Sequence, residues 1–180
     1  MFNPNLISLI LILTFSALIV QCEQLCYMTG QNPLPKDVIP PQDVTCLDTK
    51  IFLDIPDVTI DDKKYSEIDF KTQAEKGMTP AGYALATFTA GGDNTAESLE
   101  TANKLYGAVN AALRDRGNRS ILYRLKTVHF FIGSQLAASK GPEGKKLVIR
   151  NLKKTIKNCG RCTTEERSKF EEMLQAAEAP

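Results

Sequence analysis

A helical repeat of apolar residues after Gly92 constrains the fold more than any other feature of the chain. Apolar residues recur there at spacings of three and four, which places them on one face of an α-helix. Glycine, proline or a cysteine-containing turn interrupts the repeat. The pattern predicts amphipathic helices over residues 94–117, 119–140, 142–158 and from 163 onward. Since each helix has one apolar face to bury, the four are expected to pack as a bundle with short connections.

Capping residues mark the predicted helix starts. Asn94 with Glu97 three residues later resembles a capping pair, and Thr163 with Glu166 forms a capping box. Gly141 and Pro142 end one helix and open the next, because glycine terminates helices and proline is tolerated in the first turn.

The first half of the chain has a different character. Prolines are frequent from residue 23 to about residue 42, and each removes a backbone donor, so no long helix is expected. The β-branched and apolar stretch 50–60 predicts a strand, which pairs with 65–70 as a β-hairpin, and Pro56 places that strand at an edge. A short helix is predicted over 78–90.

The fold class is therefore mainly α. A C-terminal bundle of about four amphipathic helices, residues 94–180, follows a Pro-rich N-terminal segment, residues 23–93, that contains the predicted hairpin. A chain of 180 residues is long enough to bury one core, and one globular domain is expected.

The apolar run over residues 6–20 predicts a secretory signal peptide. Fifteen residues fall short of the length that spans a bilayer, and small residues Val20 and Cys22 suit cleavage after Cys22. Residues 1–22 are thus expected to be removed, leaving a secreted, extracellular protein with no transmembrane span. An uncleaved signal anchor is the alternative.

Four cysteines remain after cleavage, an even number in a chain bound for an oxidising compartment. We predict that Cys26 pairs with Cys46 and that Cys159 pairs with Cys162, although four cysteines allow three connectivities. The C-x-x-C spacing also occurs in dithiol redox sites. A helix, not a strand, is predicted before the motif, which favours a structural disulfide.

His129 is the only histidine of the chain, so sites that need two imidazoles are excluded, and we expect no metal and no cofactor. It lies on the apolar face of its predicted helix, where a buried histidine is the ordinary interpretation. The alternative is a pH-responsive ligand pocket formed with Phe131, because an apolar environment depresses a histidine pKa.

A basic stripe follows one face of the third predicted helix. It consists of Lys146, Arg150, Lys153 and Lys157, on the side opposite the apolar residues. Such a stripe binds glycosaminoglycans, anionic lipid or an acidic partner, although a solvated helix face is commoner. The net charge of +1 gives no global basic field, so nucleic acid is not expected as a partner.

Asn118, Arg119 and Ser120 form an N-glycosylation sequon in a predicted turn between helices. Glycosylation of Asn118 is expected in a secreted eukaryotic chain. Asn118 is also placed to cap the following helix.

The stretch beginning GPEGKKL at Gly141 and continuing through LKKTIKNCGRCTTEERSKFEEML resembles part of the insect chemosensory proteins, where a C-x-x-C loop lies between two amphipathic helices. The resemblance implies extracellular ligand carriage. It covers only this stretch, and the chain lacks the earlier cysteine pair of that family.

Together these features predict a secreted, non-enzymatic binding or effector protein that acts through an extracellular macromolecule. The alternative is an extracellular carrier of a small apolar ligand within the bundle. A redox enzyme that uses Cys159 and Cys162 is a third hypothesis.

Overall fold

Residues 24–179 are described by the computed structural model, in which a small antiparallel sheet precedes five α-helices. The strands are β1 (Thr45–Phe52), β2 (Ile55–Ile60) and β3 (Lys63–Lys64). The helices are α1 (Pro80–Phe88), α2 (Ala96–Asp115), α3 (Arg119–Ala138), α4 (Lys145–Asn158) and α5 (Thr164–Glu178). The predicted mainly α fold, with a hairpin-containing segment before packed C-terminal helices, is confirmed. The predicted signal peptide and its cleavage site lie outside the described residues.

The start of α2 lies one residue later than the predicted cap. Thr95 is the N-cap, and its side-chain oxygen accepts a hydrogen bond from the Ser98 amide at 3.2 Å. Asn94 instead donates its side-chain amide to the carbonyl oxygens of Thr87 and Thr89, each at 2.9 Å. The asparagine thus closes the turn that follows α1, which leaves the neighbouring threonine to cap α2.

The caps of α3 and α5 involve residues singled out from the sequence. Asn118 caps α3, and its Oδ1 accepts a hydrogen bond from the Ile121 amide at 3.2 Å. Thr163 and Glu166 form the predicted capping box at the start of α5, with the two reciprocal bonds at 3.2 and 2.8 Å. These bonds satisfy amides that the helices themselves leave without partners.

The connection between α3 and α4 differs from the prediction, in which the helix begins at residue 142. A single 3-10 turn, Gly141–Gly144, contains Pro142, and α4 begins only at Lys145. Gly144 lies against the carbonyl oxygen of Ala137, with no room for a side chain between them. Position 144, directly before α4, therefore requires a glycine.

The predicted strand 50–60 is divided into two strands. Leu53 has φ of 51°, and the turn at Leu53 and Asp54 folds β2 back on β1, so Phe52 pairs with Ile55. The predicted second strand of the hairpin, residues 65–70, is wrong, because Tyr65–Glu67 forms a 3-10 turn and no residue of this stretch is in a strand. The residues that pair with β2 on this side are Lys63 and Lys64. A leucine in the left-handed region is uncommon, which is why the pattern gave no sign of this turn.

The predicted edge position of the strand that contains Pro56 is wrong, because Pro56 lies in β2, the central strand of the order β1-β2-β3. It pairs with Lys50 of β1, whereas β3 reaches only Thr59 and Ile60. Pro56 therefore has no strand on its second side, which is compatible with its missing amide hydrogen.

One core joins the N-terminal segment to the helices. Tyr106 of α2 lies at the centre of this core and is completely buried. The centre of its ring is 5.1 Å from that of Tyr65 and 5.9 Å from that of Phe88. Its hydroxyl donates a hydrogen bond to the carbonyl oxygen of Ile68 at 2.7 Å. The sheet, the loop after it and α1 are thereby packed against α2.

The Pro-rich segment is attached to the end of α2 through Asp115, which is completely buried. Its carboxylate accepts hydrogen bonds from the amide and hydroxyl of Thr29 and from the Asn32 amide. Burial alone would raise the pKa of Asp115, but these hydrogen bonds hold it below the usual value. The neighbouring Arg116 donates to Asp54 at 2.9 Å and so ties the β1–β2 turn to the same helix end.

Candidate functional site

The segment from Arg116 to Arg161 is strongly basic. It contains twelve Lys and Arg residues and a single acidic residue, Glu143, for a net charge of +11 in a chain whose total is +1. The segment comprises α3, α4 and their connections. The near-neutral total thus conceals a charge separation, and the basic end of the molecule consists of α3 and α4.

Five cations of α4 share one side of the helix, which we call the basic face. They project within an arc of about 100° at 100° per residue. The basic face consists of Lys146, Arg150, Lys153, Lys154 and Lys157. Four of these side chains are exposed and Lys154 is partly buried. The opposite side of α4 buries Leu152 and Thr155 against the rest of the bundle.

The two edges of the basic face contact neighbouring helices. Lys153 forms an ion pair with Glu178 of α5, with Nζ and Oε1 2.7 Å apart. Lys154 places its Nζ 4.9 Å from the centre of the Phe130 ring on α3. Lys146, Arg150 and Lys157 form no ion pair with any residue between 24 and 179. The acidic residues of α5 therefore neutralise one edge of the face and leave its centre open.

Lys126 of α3 extends this positive region. Its Nζ lies 5.2 Å from the centre of the Tyr123 ring, and the side chain is partly buried. Burial lowers the pKa of Lys126, the nearby Arg114 guanidinium lowers it further, and Lys154 acts in the same direction. Asp37 is the carboxylate that opposes these effects. Lys126 thus experiences more positive than negative charge from its surroundings.

His129 lies in a shallow cleft of about 260 Å³ that also borders Asn103 and Asn151. Asn110 donates its side-chain amide to Nδ1 of the histidine at 3.1 Å, which requires that nitrogen to be unprotonated. Burial, followed by the charge of Arg114, lowers the pKa of His129 to about 4. The imidazole is therefore neutral at pH 7.

Phe131 does not share the cleft of His129. It is completely buried, and its ring lies 5.4 Å from that of Phe170 on α5. The structure thus separates the two residues of the predicted ligand pocket, because neighbours on a helix point in different directions. Phe131 joins α3 to α5 in the core, and His129 faces α2 and the cleft.

Both cysteine pairs are disulfide-bonded. Cys26 is joined to Cys46, which attaches the Pro-rich segment to β1, and Cys159 is joined to Cys162 between α4 and α5. Helix α4 precedes the second pair directly. Strand-to-helix geometry, the usual setting of a thioredoxin-like dithiol, is therefore not the setting of this motif.

The loop closed by Cys159 and Cys162 is fixed to two other helices. The Thr127 hydroxyl of α3 donates to the carbonyl oxygen of Asn158 at 2.9 Å. Arg167 of α5 donates to the carbonyl oxygen of Cys159 at 3.0 Å. These two bonds fix the backbone at the start of the loop that carries Arg161.

A cleft of about 240 Å³ opens between this loop, the start of α1 and the first half of α3. We call it the arginine cleft, because Arg124 and Arg161 line it together with Pro80 and Tyr123. The same two arginines also border a wider cleft of about 460 Å³ next to residues 70–80. The two clefts therefore adjoin each other and share Pro80, Arg124 and Arg161.

Asn118 is partly exposed in the turn between α2 and α3. Its cap bond uses Oδ1, whereas N-glycosylation attaches the sugar to the side-chain nitrogen. Capping and glycosylation of Asn118 are thus compatible.

Sequence reasoning had missed Lys126, Lys154 and the arginine cleft. Lys154 lies at the edge of the stripe, and its contact with Phe130 depends on how α3 and α4 pack. The arginine cleft depends on three segments that are distant along the chain. The one sequence signal for the whole basic region is the near absence of Asp and Glu between Arg116 and Arg161.

Among residues 24–179, no helix has the length and apolar character needed to cross a membrane. Within the same range, no three His, Cys, Asp or Glu side chains are grouped so that they could hold a metal ion.

Comparison with curated proteins and with solved structures finds no match. A family model, described as a domain of unknown function (DUF7143), matches residues 28–178. This range includes all three strands, all five helices and both clefts. The chain belongs to this family.

Proposed function

We propose that the protein is a secreted, non-enzymatic binding protein whose basic face docks on a sulfated glycan outside the cell. Two disulfides and the absence of a membrane-crossing helix within residues 24–179 are compatible with secretion. The apolar run over residues 6–20 supports a signal peptide. Glycosylation of Asn118 belongs to the same proposal, since its side-chain nitrogen is not used by the cap bond.

The observation that carries the proposal is the row of unpaired cations at the centre of the basic face. Lys146, Arg150 and Lys157 are exposed on one rigid helix and have no ion pair within the described part of the chain. They span about 16 Å along the helix axis at 1.5 Å per residue. A linear polyanion matches such a row, because it gains several ion contacts at once and releases its condensed counterions.

A glycan fits this face better than a lipid surface does. Helices that insert into the bilayer interface carry large apolar side chains beside their cations. The exposed side of α4 has one such residue at its margin, Leu147, which is 45% exposed. The basic face therefore lacks the large apolar side chains that insertion into a bilayer interface requires.

The alternative of an apolar-ligand carrier has less support. Phe131, the aromatic residue assigned to that pocket, has its ring packed against Phe170 and is completely buried. A role in core packing accounts for it.

Heparin chromatography of the secreted protein tests the proposal. A face variant, Lys146→Gln with Arg150→Gln, is compared with a control variant, Lys36→Gln with Lys50→Gln, which removes two exposed cations outside the basic segment. The face variant should elute from heparin at clearly lower salt than the wild type, and the control variant should elute with the wild type. Equal elution of the two variants would contradict the proposal, and so would wild type that flows through the column.

A further inference from the structure

We infer that the arginine cleft and the wider cleft beside it form a second binding site, which takes an acidic, partly apolar peptide segment of a partner protein. The site lies at the other end of α4 from Lys146, about 18 Å along the helix axis at 1.5 Å per residue. Binding at this second site is independent of the glycan proposal.

The two arginines of the cleft are available to bind a ligand. Arg124 is partly buried and Arg161 is exposed, and neither forms an ion pair with a residue between 24 and 179. Guanidinium groups present several donors in a fixed plane and bind carboxylates through two parallel hydrogen bonds. Two of them at the junction of two clefts form a receptor for carboxylates.

The charge around the clefts supports an acidic occupant. Lys71 and Lys76 border the wider cleft, whose acidic lining residue is Glu75. With the two arginines, four cations thus face one carboxylate. An anionic segment that runs through both clefts meets cations along its length, which favours an acidic peptide over a neutral one.

Apolar surface beside the arginines favours a peptide over an inorganic anion. The ring of Tyr123 is 57% exposed at the arginine cleft, and Pro80 lies at the junction of the two clefts. Met78 and Phe70 border the wider cleft. Tyrosine and arginine are the residues that most often dominate protein interfaces, because they combine large contact area with directed hydrogen bonds.

The site is also held in shape before binding. Arg124 lies on α3, and Arg161 lies on the loop closed by Cys159 and Cys162. The bond from Thr127 to the carbonyl oxygen of Asn158 joins that loop to α3. Groups that are already ordered lose less entropy on binding, which raises affinity for a given set of contacts.

The test uses fluorescence anisotropy with a labelled hexapeptide, Glu-Leu-Glu-Glu-Leu-Glu, and a neutral version in which glutamine replaces each glutamate. A cleft variant, Arg124→Gln with Arg161→Gln, is compared with the face variant, which removes the same charge elsewhere. The cleft variant should bind the acidic peptide at least about tenfold more weakly than the wild type, and the face variant should bind within about twofold. The neutral peptide should bind wild type at least about tenfold more weakly than the acidic one.

Three outcomes would overturn the inference. They are equal weakening by the two variants, absence of wild-type binding at about 1 mM peptide, and complete displacement of the peptide by an equal concentration of inorganic sulfate. Far-UV circular dichroism and heparin retention check the cleft variant independently. If its fold were lost, the single variants Arg124→Lys and Arg161→Lys, which keep the charge but lose the planar fork, should each weaken peptide binding.

Discussion

At the scale of single residues, His129 shows how the surroundings fix a protonation state. The Asn110 amide donates to its Nδ1, Arg114 donates to the same asparagine at 2.7 Å, and burial disfavours a charged imidazole. The cations that face the ring, Arg114 and Lys154, oppose its protonation as well. A charge on His129 would therefore break a hydrogen bond and add to a region that is already positive.

The low pKa of His129 makes the fold sensitive to acid. An unfolded histidine takes up a proton near pH 6.5, whereas the folded protein resists protonation until about pH 4. The free energy of unfolding should thus fall as the pH drops from 6.5 to about 4, by about 3 kcal/mol in total at 1.4 kcal/mol per pKa unit. Above pH 6.5 this contribution is constant.

Urea unfolding of the wild type and of His129→Gln, each at neutral and acidic pH, measures this effect. Glutamine keeps an acceptor for the Asn110 amide but does not titrate, so the variant should lose the part of the pH dependence that belongs to His129. All other titrating groups contribute equally to both proteins. Identical pH dependence in the two proteins would show that His129 is solvated and not held neutral.

At the scale of secondary-structure elements, the Pro-rich segment depends on one buried carboxylate. Replacing Asp115 by alanine removes the buried, charged acceptor of three hydrogen bonds, whose donors belong to the exposed residues Thr29 and Asn32. We expect Asp115→Ala to lower the free energy of unfolding by about 3 kcal/mol. The exposed strand residue Asp48 provides the control, and Asp48→Ala should change stability by less than about 0.5 kcal/mol. Urea unfolding compares the two, and similar small losses would show that the Asp115 carboxylate does not hold the segment.

The helices were predictable and the sheet was not, for a physical reason. Apolar spacing and capping residues are local signals, and they identified α2 to α5 and the capping box of Thr163. The division between β1 and β2 depends on a leucine with positive φ, which local propensity disfavours. The bonds of Asp115 join residues that are 83 and 86 positions apart, and nothing in the local pattern specifies them.

At the scale of the whole molecule, the proposed glycan binding depends on the charge separation. Four of the five basic-face cations were predictable from helical periodicity. Lys154 and the arginine cleft were not, because each depends on which segments the tertiary fold brings together. The segment from Arg116 to Arg161, with its net charge of +11, forms two neighbouring helices and their connections. The rest of the chain has a negative net charge.

Binding of a heparin oligosaccharide as a function of salt concentration tests whether the basic face binds a polyanion. For a polyanion with condensed counterions, the slope of log Kd against log salt concentration reports the number of cations that make contact. We expect the slope for the face variant to be smaller than the wild-type slope by about two. The control variant should have the wild-type slope. The same slope for wild type and face variant would contradict the assignment of Lys146 and Arg150 to the binding surface.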